Sequence, residues 1–186
     1  MEQNISNYIN ELNNITKNII SNEILNYNMS MIFDLINQSK TNKKIIIIGN
    51  GGSASIANHF ALDLWKNAGI KAITFSESSL LTCISNDFGY EQVFEKPIEM
   101  FAEKGDILIA ISSSGMSRNI INGVKIAKEK KCITITMSGF EKNNTLQTLG
   151  DINLYVPSMS YGYVELSHSI LCHFISDMLS TEKLYG

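Results

Sequence analysis

The sequence predicts an α/β protein built on a five-stranded parallel sheet. Short apolar runs alternate along the chain with longer stretches of helical spacing, and two of these runs, Ile45–Ile48 and Ile107–Ile111, contain no polar residue. Strands this apolar indicate a sheet that is covered on both faces. The five predicted strands are Ile45–Ile48, Ala72–Phe75, Ile107–Ile111, Cys132–Thr136 and Ile152–Val156.

Helical spacing fills most of the remaining chain. Apolar residues recur from Ile5 to Ile20 and again from about Ile24 to Ile36, which predicts two helices in residues 1–40 with a break near Ser21–Asn22. We expect one domain over residues 1–186, with helices in 1–40 and an α/β core plus a C-terminal helix in 41–186. The other predicted helices lie near residues 54–67, 78–86, 92–103, 117–129 and 145–149, and a last one runs from about Tyr163 to Thr181.

Composition and charge restrict the class of protein. A net charge of -3 argues against a general nucleic-acid binder, which needs a basic surface. The start, Met1-Glu-Gln-Asn, lacks the basic and apolar segments of a signal peptide, and the apolar runs are too short to span a bilayer. Cys83, Cys132 and Cys172 are odd in number and widely separated, which favours reduced thiols. We therefore expect a cytoplasmic protein with neither a nucleic-acid nor a membrane partner.

Two predicted strands end in turns rich in glycine and serine. Gly-Asn-Gly-Gly-Ser (49–53) follows the first strand, and Ser-Ser-Ser-Gly-Met-Ser (112–117) follows the third. Each turn leads into a predicted helix, whose first N–H groups lack an intrahelical partner and favour an anion. Because ligands bind at the carboxyl ends of such strands, the two turns together predict a phosphosugar pocket. Arg118 is either a further phosphate contact or a solvated helix residue.

The first turn does not have the pattern of a nucleotide site. It lacks the G-x-G-x-x-G spacing, and no acidic residue ends the next strand where ribose would bind. The Walker pattern with its Lys-Ser/Thr is absent as well. We expect no nucleotide cofactor.

Histidines and carboxylates supply candidate chemistry. His59 and Asp63 are four residues apart and lie on one face of a helix. Glu165, His168 and His173 share the last helix, where Glu165 and His173 project roughly 80° apart. Such groups bind a divalent metal or act as general acid and base. The alternatives are an intrahelical ion pair for His59 and Asp63, and a core position for His168.

Three segments resemble the sugar isomerase (SIS) domain family, and more closely its sedoheptulose-7-phosphate isomerases, also called phosphoheptose isomerases. The resemblance covers nearly the whole chain. It implies a three-layer sandwich around a five-stranded parallel sheet, assembled as a homotetramer with active sites at subunit interfaces. The segments are Gly49-Asn-Gly-Gly-Ser-Ala-Ser-Ile-Ala-Asn-His-Phe-Ala, Ser76-Glu-Ser-Ser-Leu-Leu-Thr-Cys-Ile-Ser-Asn-Asp-Phe-Gly-Tyr and Gly105-Asp-Ile-Leu-Ile-Ala-Ile-Ser-Ser-Ser-Gly-Met-Ser.

The resemblance also implies a function and individual roles. The implied function is aldose–ketose isomerisation of a phosphosugar through an enediol, in heptose synthesis for a capsule or lipopolysaccharide. The expected substrate is sedoheptulose 7-phosphate. A divalent metal, with zinc favoured, is expected as cofactor. The implied substrate-binding residues are Asn50, Ser53, Asp87, Ser112, Ser113, Ser114 and Ser117; the catalytic residues are His173 and Asp63; the metal ligands are His59, Asp63, Glu165 and His173.

Three positions depart from the family pattern. Asp63 stands where the family has glutamate, Glu165 stands where it has glutamine, and the segment after His59 lacks the family's arginine. The phosphate-binding serines thus match the family pattern, whereas the catalytic and metal-binding positions differ from it. Two alternatives therefore stay open: a non-catalytic phosphosugar-binding or scaffolding SIS protein, and an isomerase for another phosphosugar.

Overall fold

A parallel sheet of five strands lies at the centre of the molecule, with helices against both faces. The computed structural model describes residues 1–39 and 43–180. All five predicted strands are confirmed, with ends that shift by at most two residues. The strands are β1 (Ile45–Gly49), β2 (Ala72–Thr74), β3 (Ile107–Ser112), β4 (Ile133–Ser138) and β5 (Ile152–Tyr155).

The helices also follow the predicted pattern. Pro97 lies in the first turn of its helix, where its missing N–H would have had no intrahelical partner. The predicted end of the last helix, Thr181, lies outside the described residues. The helices are α1 (Glu2–Ile20), α2 (Glu23–Ser39), α3 (Gly51–Ala68), α4 (Ser78–Phe88), α5 (Glu95–Phe101), α6 (Arg118–Glu129), α7 (Thr145–Leu149) and α8 (Tyr161–Leu179), with a 3₁₀ turn at Tyr90–Gln92. Within residues 1–39 and 43–180, no helix has both the length and the apolar character needed to cross a membrane.

The strand order places a crevice between β1 and β3. The sheet runs β2-β1-β3-β4-β5, and all neighbouring strands are parallel. The chain leaves β1 towards β2 on one side and later returns to β3 on the other side. At this switch point the connections after β1 and β3 diverge, which opens the usual ligand crevice at the carboxyl ends of the strands.

The alternation of side chains along β1 divides the core into two halves. Ile45 and Ile47 pack with residues of α1, α2, α3 and α8, whereas Ile46 and Ile48 pack with residues of α4, α5 and α6. All four isoleucines are fully buried. Each contributes about 1.5–3 kcal/mol relative to an exposed side chain, which makes β1 a rigid support for the turn that follows it.

Candidate active site

A pocket of about 230 Å³ opens at the crevice between β1 and β3. The turn after β1, the loop after β3 and the start of α8 form its walls. We call it the serine pocket, because it brings together all five predicted serines and Asn50. Its lining residues are Asn50, Gly51, Gly52, Ser53, Ile111, Ser112, Ser113, Ser114, Ser117, Tyr161 and Glu165.

Glycines make the turn after β1 tight. A Cβ atom at Gly49 would lie 2.5 Å from the carbonyl oxygen of Ser53, and Gly51 has a φ of +51°. Asn50 is the N-cap residue of α3, but its side chain makes no capping hydrogen bond. The first N–H groups of α3 are therefore not satisfied by the cap, and the positive end of the helix dipole adds to their attraction for an anion.

The loop after β3 holds its hydroxyl groups in different ways. The Ser112 hydroxyl donates to the Ser117 hydroxyl over 3.3 Å, and the Ser114 hydroxyl accepts a hydrogen bond of 3.2 Å from the Met116 N–H. Ser113 is only 5% exposed, and its hydroxyl oxygen has no partner among the described residues. A buried hydroxyl without a partner is unfavourable by about 1–3 kcal/mol, so the Ser113 side chain is poised to pair with an oxyanion.

A second polar group lies between α3 and α8, which pack along one another. Nε2 of His59 lies 3.3 Å from Oδ2 of Asp63, and Nδ1 of His173 lies 3.7 Å from the same oxygen. The two imidazole rings are in edge contact, with centroids 5.1 Å apart. We call these three residues the His–Asp cluster. Asp63 is mostly buried, whereas both histidines are about half exposed and accessible to a ligand.

The donor set of the His–Asp cluster fits a divalent metal ion. One potential ligand atom from each residue lies within 4.8 Å of the others. Around a tetrahedral zinc ion with bonds of about 2.0–2.1 Å, ligand atoms stand roughly 3.3 Å apart, which is close to the two measured separations. Two imidazoles and one carboxylate would leave a coordination position open, as in catalytic zinc sites.

Glu165, the fourth predicted metal ligand, lies outside the His–Asp cluster in this chain, and its role as a ligand stays a prediction. Its carboxylate packs against the backbone of Gly52. A Cβ atom added at Gly52 would lie only 2.5 Å from Oε2 of Glu165. Among the described residues that line the serine pocket, Glu165 alone carries a charge. The residue precedes His173 by two turns of α8, about 12 Å along the axis. Glu165 therefore determines the charge of the anion pocket.

Two further candidates do not line the serine pocket. The Asp87 carboxylate accepts a hydrogen bond of 2.8 Å from the Asn86 side chain, and Asp87 is not among the residues that line the pocket. Arg118 pairs with Glu91 at 2.9 Å and is largely exposed. The structure thus brings neither the predicted sugar contact of Asp87 nor a phosphate contact of Arg118 to the pocket wall.

His168 occupies the core. Its Nε2–H donates to the Ser138 carbonyl oxygen at 3.3 Å, and its Nδ1 atom is buried without a partner among the described residues. Burial lowers the pKa of His168 to about 4, although the hydrogen bond to Ser138 acts in the opposite direction. The imidazole is therefore neutral near pH 7 and makes no contribution to the His–Asp cluster.

Sequence reasoning missed three residues around the pocket. Tyr161 lines it from the first turn of α8, which begins two residues earlier than predicted. Asn119 exchanges two hydrogen bonds with Asn50, and the Tyr90 hydroxyl donates a third to the same side chain. Tyr90 is the last residue of a segment already quoted for the family resemblance, but nothing in the sequence indicated its contact.

Comparison with known proteins identifies the family. The family model described as "SIS domain" matches residues 7–139. The chain therefore belongs to the SIS domain family. Within that family, its similarity is to phosphoheptose isomerases. That of Aliarcobacter butzleri is 40% identical over 149 residues, 77% of this chain and 78% of the relative. The phosphoheptose isomerase of Helicobacter hepaticus is 38% identical over 154 residues, which cover 80% of this chain and 78% of the relative.

A solved structure supports the same assignment. The phosphoheptose isomerase from Neisseria gonorrhoeae superimposes with a TM-score of 0.85 at 29% identity and covers 96% of this chain and 97% of its own. The predicted fold class is thus confirmed over nearly the whole length of both proteins.

Proposed function

We propose that this chain isomerises sedoheptulose 7-phosphate to an aldoheptose 7-phosphate, for the synthesis of heptose in a surface polysaccharide. The observation that carries the proposal is that the serine pocket and the His–Asp cluster lie on the same pair of helices, α3 and α8. Ser53 and His59 are six residues apart on α3, about 9 Å along the axis. Six C–C bonds of a zigzag chain advance about 1.3 Å each, and the phosphate ester adds to this length, so a seven-carbon sugar phosphate suits this axial separation. The similarity to phosphoheptose isomerases supports the same substrate.

The serine pocket would hold the phosphate at a distance from the reacting carbons. Hydroxyl groups and helix N–H groups bind a phosphate without a neutralising cation, and the anchored phosphate fixes the position of the sugar chain. We expect C1 and C2 of the ketose to extend towards the His–Asp cluster.

Proton transfer in the cluster accounts for isomerisation. The base removes a proton from C1 while the C2 carbonyl oxygen gains a proton, which gives an enediol. The O1 proton then leaves and a proton is returned to C2, which gives the aldehyde without net oxidation. We assign His173 as the group that exchanges the carbon-bound proton and Asp63 as its counterpart, because the two side chains face one another across the α3–α8 contact.

We propose a divalent metal, with zinc favoured, as the cofactor of this site. His59 and Asp63 would hold it, and the His173 imidazole would stay free to exchange the proton. When bound, the ion would polarise the carbonyl group and stabilise negative charge on the enediolate oxygen.

Proton NMR of purified protein with sedoheptulose 7-phosphate, with and without zinc, tests the proposed function. We expect new aldose signals with the wild-type protein. If the cluster is responsible, Asp63→Asn should lose these signals. The matched control Asp34→Asn, which changes an exposed carboxylate on α2, should keep them. The absence of aldose from every sample would contradict the proposal.

A phosphosugar-binding protein without turnover is the second candidate. The complete serine pocket beside two changed positions of the catalytic end, Asp63 and Glu165, favours it. Calorimetric binding of sedoheptulose 7-phosphate without any aldose signal would support this candidate over the isomerase.

We also propose that the chain forms a homotetramer in the cytoplasm. Large apolar side chains are exposed on α1, α2 and α8, including Ile24 at 73% and Phe174 at 48%. An apolar cavity of about 300 Å³ lies between the same helices, lined in part by Ile20, Leu25 and Ile170. Burial of this surface against further copies would be favourable.

Light scattering after gel filtration should give four times the chain mass, and a single chain mass would contradict the proposal. The three cysteines are free, which agrees with a reducing compartment.

A further inference from the structure

The side-chain amide of Asn50 takes part in three hydrogen bonds. Its Nδ2 atom donates to Oδ1 of Asn119 at 2.9 Å. Its Oδ1 atom accepts from Nδ2 of Asn119 at 2.8 Å and from the Tyr90 hydroxyl at 3.1 Å. The turn after β1, the start of α6 and the 3₁₀ turn at Tyr90–Gln92 therefore meet at one side chain.

A backbone group fixes the orientation of both amides. The N–H of Ile120 donates to Oδ1 of Asn119 at 3.0 Å, and a backbone N–H can only donate. The Asn119 oxygen must therefore face this N–H, which directs its nitrogen towards Asn50. Asn50 must then present Nδ2 to the Asn119 oxygen and Oδ1 to the Asn119 nitrogen. Asn119 is 3% exposed, so water does not offer an easy alternative to these bonds.

The consequence concerns what Asn50 offers to a ligand. A carboxamide oxygen has two lone pairs, and Asn119 and Tyr90 occupy both. The nitrogen has two hydrogens, and the described residues use one of them. Because Asn50 lines the serine pocket, its amide acts there only as a hydrogen-bond donor.

We propose that Tyr90 and Asn119 are positioning residues, which hold Asn50 as a donor to an oxygen of the bound phosphosugar. The inference rests on the proposed function and adds to it a way in which Asn50 recognises the bound phosphosugar. A carboxamide free to rotate could present its oxygen instead, which would repel a phosphate oxygen. The fixed amide removes that alternative before the ligand arrives.

Contacts from α6 hold Tyr90 in place. The Arg118 guanidinium pairs with the carboxylate of Glu91, the next residue, at 2.9 Å. The Asn122 side chain donates to the backbone carbonyl of Glu91 at 3.2 Å. Although Tyr90 is 57% exposed, the backbone that carries it is thus fastened to the helix that carries Asn119.

A double-mutant cycle with Tyr90→Phe and Asn50→Ala tests this inference. Calorimetry measures the dissociation constant of sedoheptulose 7-phosphate for the wild type, both single variants and the double variant. Tyr90→Phe should weaken binding two- to tenfold, the range expected for one hydrogen bond, without lowering the melting temperature. In the Asn50→Ala background the same change should have no effect, because the hydroxyl then has no amide to hold. Tyr27→Phe, an exposed tyrosine on α2, is the matched control and should leave the dissociation constant unchanged.

The outcomes separate this inference from the proposed function. Binding that follows the cycle without any turnover would support the positioning role and contradict the isomerase. Turnover with equal dissociation constants for wild type and Tyr90→Phe would overturn the positioning role alone. An equal loss from Tyr90→Phe in both backgrounds would also overturn it, since the effect would not pass through Asn50. No binding by the wild-type protein would overturn both.

Discussion

The Nδ1 atom of His173 lies 3.7 Å from Oδ2 of Asp63, across the contact between α8 and α3. The same oxygen lies 3.3 Å from Nε2 of His59. One carboxylate oxygen therefore faces two imidazoles from two helices. A change at Asp63 acts on both histidines at once, whether the cluster transfers protons or holds a metal.

Replacement of Asp63 by asparagine should lower kcat by about a hundredfold or more, because an amide neither accepts a proton nor provides an anionic ligand. Asp63→Glu should retain activity, since glutamate keeps the charge and adds only one methylene. Steady-state kinetics on the two variants provides the comparison. Equal activity in wild type and Asp63→Asn would remove this residue from the chemistry.

Replacement of Glu165 by glutamine should tighten the binding of sedoheptulose 7-phosphate by about three- to tenfold. The substitution keeps the shape of the side chain and removes a negative charge from the wall of the anion pocket. Calorimetry measures the dissociation constant, and inorganic phosphate serves as a second ligand to separate the phosphate effect from the sugar. Weaker binding by Glu165→Gln would instead show that the carboxylate contributes favourably, for example through a bound cation.

Ser113→Ala should affect the free and the bound protein in opposite directions. Without ligand, the variant should be at least as stable as the wild type, because the substitution deletes a buried hydroxyl that has no partner. With phosphosugar, its gain in melting temperature should be smaller, because one donor to the phosphate is lost. Thermal denaturation with and without sedoheptulose 7-phosphate measures both effects.

Ser176→Ala is the matched control for Ser113→Ala. Ser176 is also buried, but its hydroxyl donates to the His173 carbonyl oxygen at 2.9 Å. This variant should lose stability without ligand. A large loss of stability in ligand-free Ser113→Ala would show that its hydroxyl is already paired within the protein.

Acid should destabilise the protein through His168. Burial lowers the pKa of this imidazole to about 4 in the folded state, against about 6.5 in the unfolded chain. The unfolded state binds the proton more readily, so the stabilisation is present above pH 6.5 and is lost as the pH falls towards 4. Between pH 7 and pH 5 the loss from this group is about 2 kcal/mol.

Urea unfolding at both pH values and a fixed protein concentration measures the His168 effect. In His168→Gln the free energy of unfolding should change less between pH 7 and pH 5, because glutamine does not titrate. The same change in wild type and variant would assign the acid sensitivity to other groups.

Much of the fold was predictable because its signals are local. The isoleucine runs that form β1 and β3 are apolar on both faces, and the glycine-serine turns that follow them are contiguous in sequence. Parallel strands then bring the two turns together at the sheet edge without further information. For this reason all five serines were predicted in one pocket, and the structure places them there.

The location of Glu165 was not predictable from its own helix. Helical geometry gives the angle between Glu165 and His173, but not which neighbouring element each side chain meets. The packing of α8 on α3 directs the carboxylate to Gly52 and the imidazole to Asp63. Likewise, Asn50 contacts Tyr90 and Asn119, which follow it by 40 and 69 positions in the sequence. No local pattern reveals such contacts.

Deuterium exchange in D₂O tests the central claim most directly. Zinc-loaded protein is incubated with sedoheptulose 7-phosphate, and proton NMR follows the signals of the protons on C1 of the ketose and C2 of the aldose. We predict that the wild type introduces deuterium at C1 of the ketose and C2 of the aldose, that His173→Ala does not, and that Asp34→Asn behaves like the wild type. No deuterium with the wild-type protein, or undiminished exchange in His173→Ala, would contradict enediol chemistry at the His–Asp cluster.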